Sequence, residues 1–327
     1  MEMICVISQD KQLDAKLKTQ RRLDWLFVNT TRFFALLVLS ALLGILLSLI
    51  VGAYPSMKTF GLQFFTSSNW DTVAGEYGAL AAIYGTAVTS LIALVIAVPV
   101  SFGIALFLTE LCPARIKRFL NSAIELLAGI PSIIYGMWGL FVFAPLFSKY
   151  VQPHIIELSK NIPILNQFFT GTPMGIGLFT AGLILAIMII PFISSVIKDV
   201  FEIVPEMLKE SAYGLGCTRW EVMRNVVLPY TKTGVVGGIV LGLGRALGET
   251  MAVTFVIGNT FNLSINSFQS GVSITSALAN EFGEAVDQLH LSSLLYLGLV
   301  LFLITFAILS IAKILLVQMQ KREGQAH

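Results

Sequence analysis

The chain has 327 residues, of which 56% are hydrophobic and 12% charged, and its formal net charge is +2. A soluble domain carries about 25% charged residues, so this composition does not cover a water-facing surface; intrinsic disorder is excluded with it, and the small net charge argues against nucleic-acid binding. A mean hydropathy of +0.82 in long unbroken apolar runs points to helical membrane spans, not to the alternating strands of a membrane β-barrel.

In chain order, six stretches supply the roughly 20 mostly apolar residues that a span needs. The first is 33–54, preceded by a polar segment 1–32 in which no signal-peptide cleavage pattern is evident. The second is 79–108, uncharged until Glu110. The third is 119–147, with Glu125 near its start, where a helix N-terminus favours a carboxylate, and Pro131 as a kink or local break. The fourth is 174–197, the fifth 233–258 and the sixth 291–317, which leaves 318–327 as a C-terminal tail. Pro99 and Pro191, inside the second and fourth stretches, read as packing kinks.

Lysine and arginine placement sets the expected orientation. The N-terminal tail holds Lys11, Lys16, Lys18, Arg21, Arg22 and Arg32, and the C-terminal end Lys313, Lys321 and Arg322. The loops after spans two and four hold Arg115, Lys117 and Arg118, then Lys198, Lys209, Arg219, Arg224 and Lys232. The opposite loops hold only Lys58, Lys149 and Lys160. This alternation predicts a multi-pass protein with both termini in the cytoplasm. Cys5, Cys112 and Cys217 then lie on the reducing side as free thiols. His154, His290 and His327 read as solvated and form no metal-ligand pattern. The external loops 55–78, 149–173 and 259–290 are long for hairpins. The third, which ends with Glu281, Glu284 and Asp287, suits either partner docking or an inert insertion.

The loop between spans four and five, about 198–232, is too polar to span. Pro205 suits the first turn of a helix, and Gly214 and Gly216 suit its end. Thr218 and Glu221 have capping-box spacing for a second short helix, expected to stop at Pro229. Leu208, Ala212 and Leu215 make an apolar face that fits a groove on a soluble partner. Glu210, Ser211 and Ala212, then Gly216, Val226, Leu228 and Pro229 follow at the spacing of one known motif. With them the loop resembles the cytoplasmic coupling loop of ABC-importer permeases, with Ser211 for an alanine and Val226 for an isoleucine.

That resemblance implies an all-α polytopic membrane protein with the core of a type I (MetI-like) importer permease over 79–317. It implies a transport subunit with no catalytic residues of its own. ATP and Mg would be bound by a partner ATPase dimer gripping Glu210 to Pro229. The chain carries no Gly-x-x-x-x-Gly-Lys-Ser/Thr phosphate loop.

Within the fifth stretch, Arg245 lies about 13 residues in, roughly 20 Å along a helix and near mid-bilayer. An arginine there costs about 2.5–3.5 kcal/mol. Glu249, four residues on, falls on the same face, where it either forms a structural ion pair with Arg245 or holds Arg245 while the path is empty and releases it to an arriving anion. A guanidinium suits a tetrahedral oxyanion because it donates two parallel hydrogen bonds. Gly234, Gly238, Gly242 and Ala246 form a small-residue stripe that suits close helix packing. The segments LLAGIPSIIYGMWGL and GRALGETMAVTFVIGN are similar to those of phosphate-importer permeases. That similarity implies inorganic phosphate as cargo, a second permease subunit, an ATPase dimer, and an extracytoplasmic phosphate-binding protein at a bacterial inner membrane. A sulfate or molybdate importer is the main alternative. A secondary transporter would leave the loop motif unexplained. An intramembrane hydrolase would need a nucleophile and base that the spans do not offer.

Overall fold

A computed structural model describes residues 2–324, and the side chains of 20–321 other than Arg22 and Ile164. Six helices among them are long and apolar enough to cross a bilayer: Leu23–Phe60, Leu80–Leu111, Ser132–Lys160, Leu178–Glu202, Arg219–Gly248 and Gln288–Lys321. They are numbered spans 1 to 6 below. The tails Cys5 and His327, assigned above from sequence, lie outside the described side chains.

The chain divides into two units, 1–52 and 53–327. The first is helical from Glu2 onward. None of its described side chains is buried, and Leu36, Leu47 and Val51 are well exposed. Such a surface is stable in hydrocarbon, because lipid tails are as apolar as leucine.

In the second unit, span 4 is the core helix, with Ile184, Leu185, Met188, Ile189, Ile193, Ile197 and Phe201 fully buried. Span 2 meets it with a face of small residues that includes Ala82, Gly85, Thr89, Ala93, Ala97 and Ala105. The approach is close enough that a Cβ on Gly182 would sit 2.6 Å from Ile92 Cγ2. Span 5 uses the glycine stripe against the same core helix. Cβ atoms on Gly234, Gly238 and Gly242 would meet Val200, Val196 and Ile193 at 2.5, 3.0 and 2.5 Å. The stripe is therefore a packing device, in which small residues let backbones come together. Pro99 and Pro191 lie inside unbroken helices.

The structure corrects three boundaries. The expected third stretch 119–147 is two elements: an amphipathic helix Ala114–Ala128, with no buried residue, and span 3, which starts at Ser132. Pro131 takes extended ψ 136 between them, and it also restrains Ile130 from the helical region. Glu125 consequently stands in the last turn of the amphipathic helix, not at a helix N-terminus. Pro229 does not end a helix either. Arg219–Gly248 is continuous, and the five residues Met223–Val227 just before Pro229 form a π turn. A proline removes one N–H donor and clashes with the carbonyl four residues back, and the wider π turn absorbs both.

The third correction concerns the loop 259–290. It folds back among the spans. Phe268, Val272, Ile274 and Ala277 are buried, and a short helix Ile274–Glu281 lies within it. Phe179 N–H donates to Ser267 O at 2.8 Å and Ile274 N–H to Thr86 Oγ1 at 2.9 Å. Non-helical backbone near membrane depth is tolerated only when buried and satisfied in this way.

Candidate functional site

The loop 198–232 is built as two helices around a glycine. The first helix is Glu206–Gly214, and Leu215 caps it. Gly216 follows at φ +88. Gly216 N–H donates to Tyr213 O at 2.9 Å and Cys217 N–H to Ala212 O at 3.2 Å. This paired closure requires a residue that tolerates the left-handed region. Thr218 and Glu221 then form the expected capping box, with Thr218 N–H 2.7 Å from Glu221 Oε2.

The motif residues divide by face. Ala212 is buried, Val226 packs against the core and Leu228 is half-buried. Glu210, Ser211, Gly216 and Pro229 are exposed. Ser211 Oγ–H donates to Met207 O at 2.7 Å. The expected apolar face is corrected accordingly: Ala212 turns inward, while Leu208 and Leu215 stay outside with Met207 and Trp220, and Leu215 is 86% exposed.

The hairpin is also fastened to the end of span 2. Lys209 Nζ lies 2.7 Å from Glu110 Oε1, with the two side chains only 17% and 11% exposed. Tyr213 O–H donates to Glu110 Oε2 at 3.4 Å, and Arg219 Nη1–H donates to the Glu110 carbonyl at 3.5 Å. Burial, then the Glu110 charge and its hydrogen bond, hold the Tyr213 phenol above its ordinary pKa, against a smaller opposing pull from Arg219.

Arg245 and Glu249 do not pair. Span 5 stops at Gly248, and Glu249 turns to ψ 128 before a short helix Met251–Val256 begins. Glu249 Oε1 instead accepts from Ala252 N–H at 3.2 Å, so the carboxylate caps that helix, and the Glu249 carbonyl accepts from Thr275 Oγ1–H at 2.7 Å. Arg245 lies over the Phe192 ring, 5.5 Å from its centroid, a cation–π arrangement. Its Nε is buried without a hydrogen-bond partner, and none of the ion pairs among the described residues includes it. The site is therefore a half-buried guanidinium beside a break in its own helix, with at least one donor unused. Span 3 closes tightly on that break: a Cβ on Gly136 would sit 3.0 Å from Ala252 Cα.

Residues 100–322 match the model of the family described as binding-protein-dependent transport system inner membrane component. This chain belongs to that family. The match takes in the glycine hairpin and the broken span. Within the family the chain groups with the PstC permeases. It is 59% identical over 303 residues to the phosphate transport system permease protein PstC of Pasteurella multocida (strain Pm70), covering 93% of this chain and 94% of that one. It is 56% identical over 311 residues to that of Mesorhizobium japonicum (strain LMG 29417 / CECT 9101 / MAFF 303099), covering 95% of each. Among solved structures, a chain of the MetNI methionine ABC transporter in an inward facing conformation superposes with a TM-score of 0.53 at 15% identity, over 73% of this chain and 94% of that one. That likeness shows the shared fold.

Sequence reasoning missed two features of this family member. Glu110 gives no local motif, because its partners lie about a hundred residues further along the chain. His290 was expected in solvent, yet it is 7% exposed. Its Nε2 lies 2.9 Å from Glu281 Oε2, which also accepts from Trp70 Nε1–H at 2.7 Å. The Tyr77 ring stacks on the imidazole at 5.4 Å. Burial first, then Asp287, Glu281 and Asp71, raise the Tyr77 phenol pKa. His154 is exposed as expected, and Cys112 and Cys217 are free thiols. No cluster of three or more metal-ligating side chains occurs among the described residues.

Proposed function

We propose that this chain is one permease subunit of an ATP-driven importer of inorganic phosphate, set in a bacterial inner membrane with both termini cytoplasmic. The observation that carries the reading is Arg245. A cation in the last turn of a membrane-spanning helix, with a spare donor and no ion pair among the described residues, is expensive unless an anion visits it. Tetrahedral oxyanions match a guanidinium fork. Identity above 50% to proteins named for phosphate transport supports phosphate over sulfate or molybdate.

In this reading the substrate path runs past Arg245 and the break at Glu249. The cation–π contact with Phe192 keeps the guanidinium oriented while no anion is bound. A single arginine gives a weak site, which suits release as much as entry. High affinity belongs to a separate phosphate-binding protein (PstS-like) outside the membrane. A second, PstA-like permease completes the path. An ATPase dimer (PstB-like), which holds the ATP and Mg, docks on the hairpin of Glu210, Ser211, Ala212, Gly216, Val226, Leu228 and Pro229. Exposed Met207, Leu215 and Trp220 offer it an apolar anchor. Helix continuity from Arg219 to Gly248 gives an unbroken helical connection from that dock to Arg245.

The test is uptake of radiolabelled phosphate by the complex reconstituted in proteoliposomes, with sulfate and molybdate as competitors. The expected result is ATP-dependent phosphate uptake that neither competitor blocks at equal concentration. Equal uptake of labelled sulfate would overturn the choice of cargo. Uptake driven by a proton or sodium gradient without ATP would overturn the transporter class.

A further inference from the structure

Glu110 holds both halves of the glycine hairpin. Its carboxylate takes Lys209 and Tyr213, one turn apart on the first helix, and its carbonyl takes Arg219 at the start of the second. The hairpin is joined covalently to spans 4 and 5. This cluster joins it to span 2 as well. The attachment is well protected from water, so it is screened less than a surface pair. Removing one partner would leave a poorly solvated charge behind.

Span 2 reaches the other part of the site from its opposite end. Thr86 Oγ1 accepts from Ile274 N–H, and the next residue, Thr275, donates to the carbonyl of Glu249 at the break in span 5. Two continuous routes of contact thus connect hairpin and break. One is the helix Arg219–Gly248; the other runs through Glu110, span 2, Thr86 and the segment Ile274–Thr275.

We infer that Glu110 is a positioning residue for energy coupling, and that its ion pair with Lys209 makes span 2 move with the hairpin. The inference rests on the proposed role of the hairpin as the ATPase dock and names a second arm of transmission for it. Without the pair, the hairpin still docks and ATP is still hydrolysed, but displacement of the hairpin no longer carries span 2, and the segment that pins Glu249 stays behind.

The experiment measures ATP hydrolysed and phosphate taken up in the same proteoliposomes, for the full complex with Glu110→Gln, Lys209→Met, or the exchanged pair E110K/K209E. Each single variant is expected to assemble, to keep ATP hydrolysis within about twofold, and to lower phosphate moved per ATP at least fivefold. The exchanged pair is expected to restore that ratio to within about twofold. A merely structural staple would lower both activities together and leave the ratio alone, and that result overturns the inference. If the single variants fail to assemble, the exchanged pair decides: assembly with the ratio restored upholds it, and a lost ratio or no assembly overturns it. A wild-type complex that moves no phosphate sinks the proposed function instead, so the two failures are distinct.

Discussion

Arg245 lies in the last turn before a helix break at Glu249, and the Glu249 carboxylate bonds to the Ala252 N–H at 3.2 Å instead of to the guanidinium. The four-residue spacing suggests a pair only on the assumption of a continuous helix. The break cancels that geometry and leaves the cation to an aromatic ring and whatever anion reaches it. Arg245→Gln and Glu249→Gln should therefore act independently on stability. In a double-variant cycle on the purified complex, thermal unfolding should show additivity within about 0.5 kcal/mol, the usual limit for side chains with no shared partner. A coupling above about 1 kcal/mol would re-establish the ion pair.

Gly216 has open space where a Cβ would stand, but its φ is +88. A substitution there is limited by backbone strain and not by a clash. Gly216→Asn should be tolerated, because asparagine enters the left-handed region readily. Gly216→Val should cost about 1–2 kcal/mol locally, and the bulkier Gly216→Phe carries the same strain. Both should disrupt the hairpin and uncouple ATP hydrolysis from phosphate uptake, with membrane insertion intact. Normal uptake by Gly216→Phe would refute the docking role of this turn.

Much of this architecture was legible from the residues. The presence of six spans followed from apolar runs because a bilayer imposes a length on every crossing helix, but the bounds of the third and fifth, expected at 119–147 and 233–258, did not. The Gly216 turn and the Thr218–Glu221 box were legible because both are local and depend on one or two residue types. Features that depend on distant partners were not. Nothing near Glu110 announces Lys209. The serines and asparagines of 259–290 read as an external loop that either docks a partner or is an inert insertion, yet Ser273 and Ser276 cap a helix whose first turn is buried, and Asn266 is bonded to Thr170 O at 2.7 Å. Pro229 misled because a proline ordinarily marks a stop, and the π turn that accommodates it has no sequence signature of its own.

Arg245→Gln should abolish phosphate uptake without preventing assembly with the ATPase. Two charge-assisted hydrogen bonds at about 1.5–3 kcal/mol each correspond to a loss of about a hundredfold or more. Arg245→Lys keeps the charge and gives up the fork, so its uptake should fall between the two. Initial uptake rates in proteoliposomes check both variants. A normal rate for Arg245→Gln would reduce Arg245 to a structural cation.

The glycines of span 5 provide an internal contrast for the packing argument. A Cβ on Gly234 would meet Val200 Cγ1 at 2.5 Å and Cγ2 at 2.9 Å, whereas Gly237, three residues on, has nothing within 4 Å. Valine is β-branched and has little rotamer freedom to yield in a helix. Gly234→Ala should therefore push spans 4 and 5 apart and cost about 1–3 kcal/mol, the usual range for overpacking. Gly237→Ala meets no obstacle and removes a helix-weakening glycine, so it should be neutral or stabilising by up to about 1 kcal/mol. Thermal unfolding of the two variants in the same detergent measures the difference. Equal midpoints would show that spans 4 and 5 are not held by backbone proximity at Gly234.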